Sequence, residues 1–177
     1  MEPLIPLLTL SAIILFAVLF SLIGGHIIIH GFFSDAPFVP SSRKKRRIMI
    51  GLADIKEGET IVDLGCGNGS LLIESAKKGA CATGIESNPF LAALSRMRAR
   101  IARLQNRISI IKKDLFQYDL SAADIIFVYL FPHTLEKLKE KLEKELKPGT
   151  RIVSNTFLIP GWTPKKTEGG VFLYIKQ

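Results

Sequence analysis

The sequence predicts an α/β protein: a doubly wound, mostly parallel sheet preceded by one N-terminal transmembrane helix. Three observations carry that expectation. From Pro3 to Ser34 there is no Asp, Glu, Lys or Arg. Downstream, short runs rich in Ile and Val alternate with stretches of helical character, the pattern of parallel strands covered on both faces and joined by helical crossovers. The first of these runs leads into glycines at alternate positions, Gly65, Gly67 and Gly69, where a backbone can turn tightly at a strand end and approach a ligand closely.

Leu4 to Ile29 is almost entirely Leu, Ile, Val, Phe and Ala, and about 20 such residues, rising ~1.5 Å each, cross a hydrocarbon core. Thr9, Ser11 and Ser21 fall on no common side, unlike a core helix with one wet face. Only Glu2 precedes the run, and Gly24-Gly25-His26 is a poor cleavage site, so a removed signal peptide is not expected. His26 and His30 share a helical face without a third ligand nearby, and no metal site is expected. About a dozen residues further on, Arg43-Lys44-Lys45-Arg46-Arg47 stands where the positive-inside bias is read and where anionic headgroups attract basic segments. A nucleic-acid patch is the alternative reading of that run. The chain thus divides into an anchor over 1–33, a linker over 34–42 and a domain over 43–177, single-pass, with the domain on the cytoplasmic, positive-inside face of a lipid bilayer.

From Arg43 onward, 24 basic residues against 14 acids leave +10, while the apolar stretch carries nothing. Intrinsic disorder is excluded by a hydrophobic content of 47%. A disulfide scaffold is excluded because there are two cysteines, Cys66 and Cys81, expected as free thiols on the reduced side of the membrane.

Taken in order, Ser41 or Ser42 caps a helix through the basic run to about Ala53, with Ile48, Met49 and Leu52 on its apolar side. Strands are expected at Thr60–Leu64, Cys81–Glu86, Ile108–Lys113, Asp124–Leu130 and Thr150–Phe157. Between them come helices at Ser70–Lys78, at Pro89–Leu104 with Asn88 as cap and proline first, and at His133–Leu146 before Pro148-Gly149. Val171–Ile175 is one more strand, antiparallel at or near the sheet edge. Arg96, Arg98, Arg100, Arg103 and Arg107 spread around their helix, a solvated face or a contact with anionic lipid. Lysines and glutamates alternate from Glu136 to Lys147, as on an exposed, ion-paired helix.

The residues with chemistry sit at strand ends. Glycine spacing here is G-x-G-x-G, not the G-x-G-x-x-G of a dinucleotide fold. Glu86 closes the second strand, where a carboxylate accepts from both hydroxyls of a ribose, and Asp114 closes the third, where it accepts from an exocyclic amine. With Asp63 on the first strand, three acids and the glycine loop converge on the carboxyl edge at the switch point.

These residues resemble the S-adenosylmethionine-dependent methyltransferases of the seven-strand, Rossmann-like class I. By that resemblance Asp63, Gly65 and Gly67 hold the methionine part of the cofactor, with Cys66 and Asn68 in the same loop; Glu86 holds the ribose, and Asp114 with Leu115 the adenine. Cys66, between glycines, reads as a small filler and not as a nucleophile. Pro37-Phe38-Val39-Pro40-Ser41-Ser42, Tyr129-Leu130-Phe131-Pro132 and the run from Leu146 to Ser154 are similar to the membrane-anchored protein-lysine methyltransferases that act on the c subunit of ATP synthase. The similarity covers the anchor and most of residues 36–163. Mitochondrial members carry additional sequence before the anchor, so a prokaryotic relative is expected, with the mitochondrial inner membrane as the location if the source is eukaryotic. The tail after Trp162 is short, and the usual terminal hairpin is expected to be abbreviated or incomplete.

The chemistry this implies is in-line attack of a neutral lysine amine on a sulfonium methyl. Tyr129 would accept a hydrogen bond from that amine, and Phe38, Pro40, Ser41, Phe131 and Pro132 would line the channel. A methyltransferase for a lipid, a lipophilic small molecule or RNA, and a non-catalytic membrane adaptor, are the alternatives. No Asn/Asp-Pro-Pro-Tyr/Phe motif occurs, which tells against methylation of exocyclic base amines and disfavours a nucleic-acid acceptor.

Overall fold

The computed structural model describes residues 4–33 and 39–177, with side chains for 9–22, 24–25 and 39–177. The chain divides into two units, Met1–Phe38 and Val39–Gln177. In the first, α1 spans Leu4–Phe33 and has no charged side chain along its 30 residues. Leu10, Ile13, Ile14, Leu15, Phe16, Val18, Leu19, Phe20 and Leu22 are all exposed; at 100° per residue they cover every face of the helix. Among the described residues no helix is long and apolar enough to cross a membrane, so the span expected over Leu4 to Ile29 is not found among them.

The second unit begins with α2, Arg43–Ala53, capped by Ser42, whose Oγ accepts from the Lys45 N–H at 3.2 Å. Its buried Met49, Ile50, Leu52 and Ala53 pack on one face of a seven-stranded sheet. The strands are β1 (Thr60–Leu64), β2 (Cys81–Glu86), β3 (Ile108–Lys112), β4 (Ile125–Val128), β5 (Arg151–Asn155), β6 (Lys166–Glu168) and β7 (Val171–Ile175), in the spatial order β3-β2-β1-β4-β5-β7-β6. The pairs among β1 to β5 are parallel, and β7 runs antiparallel between β5 and β6. Helices α3 (Ser70–Ala76), α4 (Pro89–Ile101) and α5 (Pro132–Glu145) provide the crossovers.

Side chains of a strand alternate between faces, so each strand feeds two cores. Ile61, Ile125, Phe127 and Val153 join α2, α3 and α4 on one side. Val62, Leu64, Ile126, Val128 and Ile152 meet Leu135, Leu138 and Leu142 of α5 on the other. This is the doubly wound class I fold.

Several expectations change in detail. The fourth and fifth strands stop at Val128 and Asn155, leaving Tyr129, Leu130 and Phe157 in the connections beyond them. The terminal hairpin is short but present, with β6 as its outer strand. Three arginines of the α4 region are not simply solvated: Arg96 donates to the Ile110 carbonyl at 2.9 Å, Arg98 to the Asn68 carbonyl at 2.8 Å, and Arg107 to the Gly79 carbonyl at 2.6 Å. They fasten α4 and its exit to strand β3 and to the loops at Asn68 and Gly79. On α5 the expected pairing occurs as Lys141–Glu145 and, more loosely, Lys139–Glu143. Both cysteines are free thiols.

Candidate active site

Strand register sets the site. Leu64 pairs with Ile85 on β2 and Val128 on β4, and Val128 pairs with Ser154 on β5. The residues one step further, Glu86, Gly65, Tyr129 and Asn155, therefore form a row along the carboxyl edge, about 4.8 Å from strand to strand.

The glycine loop after β1 turns through left-handed backbone at Gly65, Gly67 and Gly69, with φ of 80°, 54° and 70°. Gly69 also has no room for a side chain, since a Cβ there would stand 2.1 Å from Ser95 Oγ on α4. Glu86, 8% exposed, ties the loop to the next helix: Oε2 accepts from the Gly67 N–H and Oε1 from the Asn88 N–H, both at 2.9 Å. Asn88 in turn caps α4, its Oδ1 accepting from the Phe90 and Leu91 N–H groups. Each carboxylate oxygen of Glu86 keeps lone-pair capacity for one more donor, which suits the two hydroxyls of a diol.

Asp63 lies beside this pair, 7% exposed. Its carboxylate accepts no hydrogen bond among the described residues, and burial, followed by the charge of Glu86, pushes its pKa up to about 7. A buried carboxylate in that condition is a receptor for a cation. Cys66 is packed so that a Cβ on Gly84 of β2 would lie 2.5 Å from its Sγ, and burial raises its thiol far above the usual range, so it fills space and is no nucleophile. Asn68 is turned to the helix: its Oδ1 accepts from Ser70 N–H at 3.2 Å and Ser70 Oγ–H at 2.8 Å. Asp114 is exposed at the end of β3, where Oδ1 accepts from the Phe116 N–H at 2.9 Å and opens a single 3-10 turn, Leu115–Gln117. The turn role is thus met by one oxygen, and the other remains for a ligand; Leu115 beside it is half-buried.

Across the edge the setting differs. Tyr129 is half-buried, and its hydroxyl makes no hydrogen bond among the described residues. By contrast, the buried Tyr174 accepts at its hydroxyl from the Ile159 N–H at 3.0 Å. Phe131 stacks near-parallel on His133, centroids 6.1 Å apart, and meets Phe157 at 6.0 Å. Pro132 opens α5 and is exposed, as is Pro40. Ser41 is pinned from two sides, its carbonyl by Arg46 at 2.6 Å and its Oγ by Asn155 Nδ2 at 3.2 Å. Phe38 lies outside the described residues.

Three residues of this site were not expected from sequence: Asn88 as a partner of Glu86, Arg98 as a clamp on the glycine loop, and Asn155. Asn155 had one visible signal, an amide inside an apolar strand.

The family model of the ANTKMT methyltransferase domain matches residues 63–166, from Asp63 through the start of β6. A protein-lysine N-methyltransferase of Saccharolobus islandicus is 39% identical over 154 residues, covering 78% of this chain and 92% of that protein. The lysine N-methyltransferase of Mus musculus named for the c subunit of ATP synthase is 33% identical over 75% of this chain and 53% of its own length, so the chain spans about half of that relative. Among solved structures, an RNA methyltransferase from Salinibacter ruber in complex with S-adenosyl-L-homocysteine superposes with a TM-score of 0.74 at 33% identity, covering 78% of this chain and 92% of that one.

Proposed function

The chain belongs to the ANTKMT methyltransferase-domain family and is an S-adenosylmethionine-dependent methyltransferase; from that premise we propose that it methylates the side-chain amine of a lysine on a membrane protein, near a bilayer in which α1 anchors it. The observation that carries the lysine assignment is the 39% identity over nearly the whole of a protein-lysine N-methyltransferase. A small rotor protein of an ATP synthase is an acceptor of the right kind, supported by the activity named for the mouse relative. Anchoring is supported by a charge-free α1 with apolar side chains on every face, an arrangement stable in lipid and costly in water, and by the basic run in α2 that follows it.

The residues present fit the cofactor. Asp63 has a buried carboxylate without a hydrogen-bond partner among the described residues, as an α-ammonium requires, Glu86 has one free acceptor position per oxygen for the ribose diol, and Asp114 has a second oxygen open at the adenine end. When bound, S-adenosylmethionine supplies an electrophilic methyl on a sulfonium sulfur. The acceptor lysine must shed its proton, which desolvation among Phe131, Phe157 and Tyr129 favours by penalising the ammonium. Tyr129 then accepts one N–H of the neutral amine and holds its lone pair in line; such orientation supplies several kcal/mol or more of a displacement barrier. Ser41, held by Asn155 and Arg46, fixes Pro40 and the approach to the channel.

RNA as acceptor is the second reading, favoured by the Salinibacter structure described as an RNA methyltransferase. One experiment separates the two. Purified protein and methyl-labelled cofactor are incubated with membranes and with total RNA from the same source. Label in a lysine of a membrane protein is expected; label in RNA or lipid, with none in protein, overturns the lysine assignment.

A further inference from the structure

Away from the catalytic edge, α2 and the end of α3 border a shallow, open groove of about 410 Å³ lined by Arg47, Ile50, Gly51, Glu74, Lys77 and Lys78. Its charges are unevenly committed. Glu74, its one acid, is held by Arg46, Nε to Oε1 at 2.5 Å. Arg47, Lys77 and Lys78 are exposed, and among the described residues none of them is in an ion pair. Lys77 and Lys78 complement the carbonyl end of α3, but that does not explain why Arg47 arrives beside them from another helix. The floor is apolar, with Ile50 and an open Gly51 where a Cβ would meet nothing within 4 Å.

We propose that this groove seats the phosphate headgroup of an anionic phospholipid, with Arg47, Lys77 and Lys78 on the phosphate and Ile50–Gly51 under the glycerol. Three cations from two elements around an apolar floor match an anionic, amphiphilic headgroup. Single-stranded RNA fits less well, because its recognition uses aromatic platforms for stacking and the groove has none. The chain order agrees: α1 ends at Phe33 and α2 begins at Arg43, the place where basic segments meet a leaflet surface. The groove lies outside the catalytic edge, and its occupancy is read without any methyl transfer, so its test and that of the lysine acceptor fail independently.

Full-length protein in neutral detergent is titrated with dihexanoylphosphatidylglycerol, dihexanoylphosphatidylcholine, inorganic phosphate and a single-stranded RNA oligonucleotide. Calorimetry gives affinity, and hydrogen exchange over residues 43–53 and 70–79 locates the contact. Phosphatidylglycerol is expected to bind, more weakly as salt rises, and to protect both segments, with at least a tenfold preference over phosphatidylcholine. Lys77→Gln/Lys78→Gln, and separately Gly51→Glu, which places a carboxylate in open space, should each weaken it at least tenfold while cofactor affinity stays constant and reports an intact fold. Equal binding of the two lipids, or indifference to both variants, overturns the proposal. Phosphate as tight as phosphatidylglycerol makes it a small-anion site instead, and tighter RNA makes it a nucleic-acid surface.

Discussion

Glu86 and Tyr129 stand at the same sheet edge on either side of β1, yet their surroundings are built differently. Around Glu86 many polar groups are committed: its two oxygens join the glycine loop to the start of α4, Asn68 Oδ1 accepts from the Ser70 N–H, Asn88 caps α4, and Arg98 donates to the Asn68 carbonyl in the loop. Just beyond Tyr129 the contacts are between aromatic rings, Phe131 with His133 and with Phe157, and the Tyr129 hydroxyl has no hydrogen-bond partner among the described residues. The first half is preorganised for one ligand of fixed shape. The second leaves its hydrogen-bonding capacity open for a guest, as a site for a protruding side chain requires. Variants on the two halves should therefore separate: stability and cofactor affinity on one, turnover on the other.

The largest effect belongs to Asp63, whose buried carboxylate accepts no hydrogen bond among the described residues. Its carboxyl binds a proton more tightly when folded, with a pKa of about 7, than an unfolded aspartate does. Without cofactor, that contribution to stability is complete below about pH 4 and lost as pH rises through about 7, on the order of 4 kcal/mol across the window. Asp63→Asn should flatten the pH dependence of Tm and leave the cofactor-free variant more stable than the parent at pH 8. Cofactor affinity should fall sharply in the variant, and in the parent by up to tenfold per unit below about pH 7. A parent whose cofactor-free Tm does not decline between pH 5 and 8 would contradict this account.

Next is Glu86→Ala. It strands the Gly67 and Asn88 N–H groups and, if Glu86 holds the ribose as proposed, removes the acceptors for it; charge-assisted hydrogen bonds contribute about 1.5–3 kcal/mol each. Cofactor affinity should drop by roughly a hundredfold or more, with a visible loss of Tm. An unchanged calorimetric Kd in a folded variant would remove Glu86 from the site.

Gly84→Ala tests the same half through packing alone. A Cβ at that position meets Cys66 Sγ and Leu72 Cδ1 at 2.5 Å each, and such overpacking costs about 1–3 kcal/mol. Denaturant unfolding should show that loss. A free energy within error of the parent would mean that the loop and α3 shift at no cost, and that the cofactor half is less constrained than its hydrogen bonds imply.

How much of this was legible differs by half as well. The bounds of β1 and β2 were readable because apolar runs end at Leu64 and Glu86 against strong turn residues, and Asn88-Pro89 announces a helix start in two residues. Strand β6 was not, since Lys166–Glu168 is exposed and carries no apolar alternation. Its signal lay in the turn: Gly169-Gly170, with φ of 53° and 71°, joins Glu168 to Val171 as a two-residue hairpin, which favours two positive φ values. The clamp from Arg98 and the bond between Asn155 and Ser41 were out of reach for another reason. Helical spacing tells which way a side chain points but not which carbonyl waits there, and Ser41 is 114 residues from its partner.

The smallest effect is the most specific. Tyr129→Phe removes one hydroxyl that bonds to nothing among the described residues, so Tm and cofactor Kd should match the parent, unlike Tyr174→Phe, which strands the Ile159 N–H and should lower stability by about 1–3 kcal/mol. If the Tyr129 hydroxyl orients the acceptor amine, its loss withdraws a neutral hydrogen bond of about 0.5–1.5 kcal/mol from the reacting arrangement, roughly a two- to tenfold fall in kcat. KM for the acceptor should move less than kcat, because the bond matters most when the amine is neutral and aligned. A variant with parental kcat would make Tyr129 a wall of the channel and nothing more; one that lost cofactor affinity instead would show that the two halves of the edge are coupled through Gly65, the residue between them.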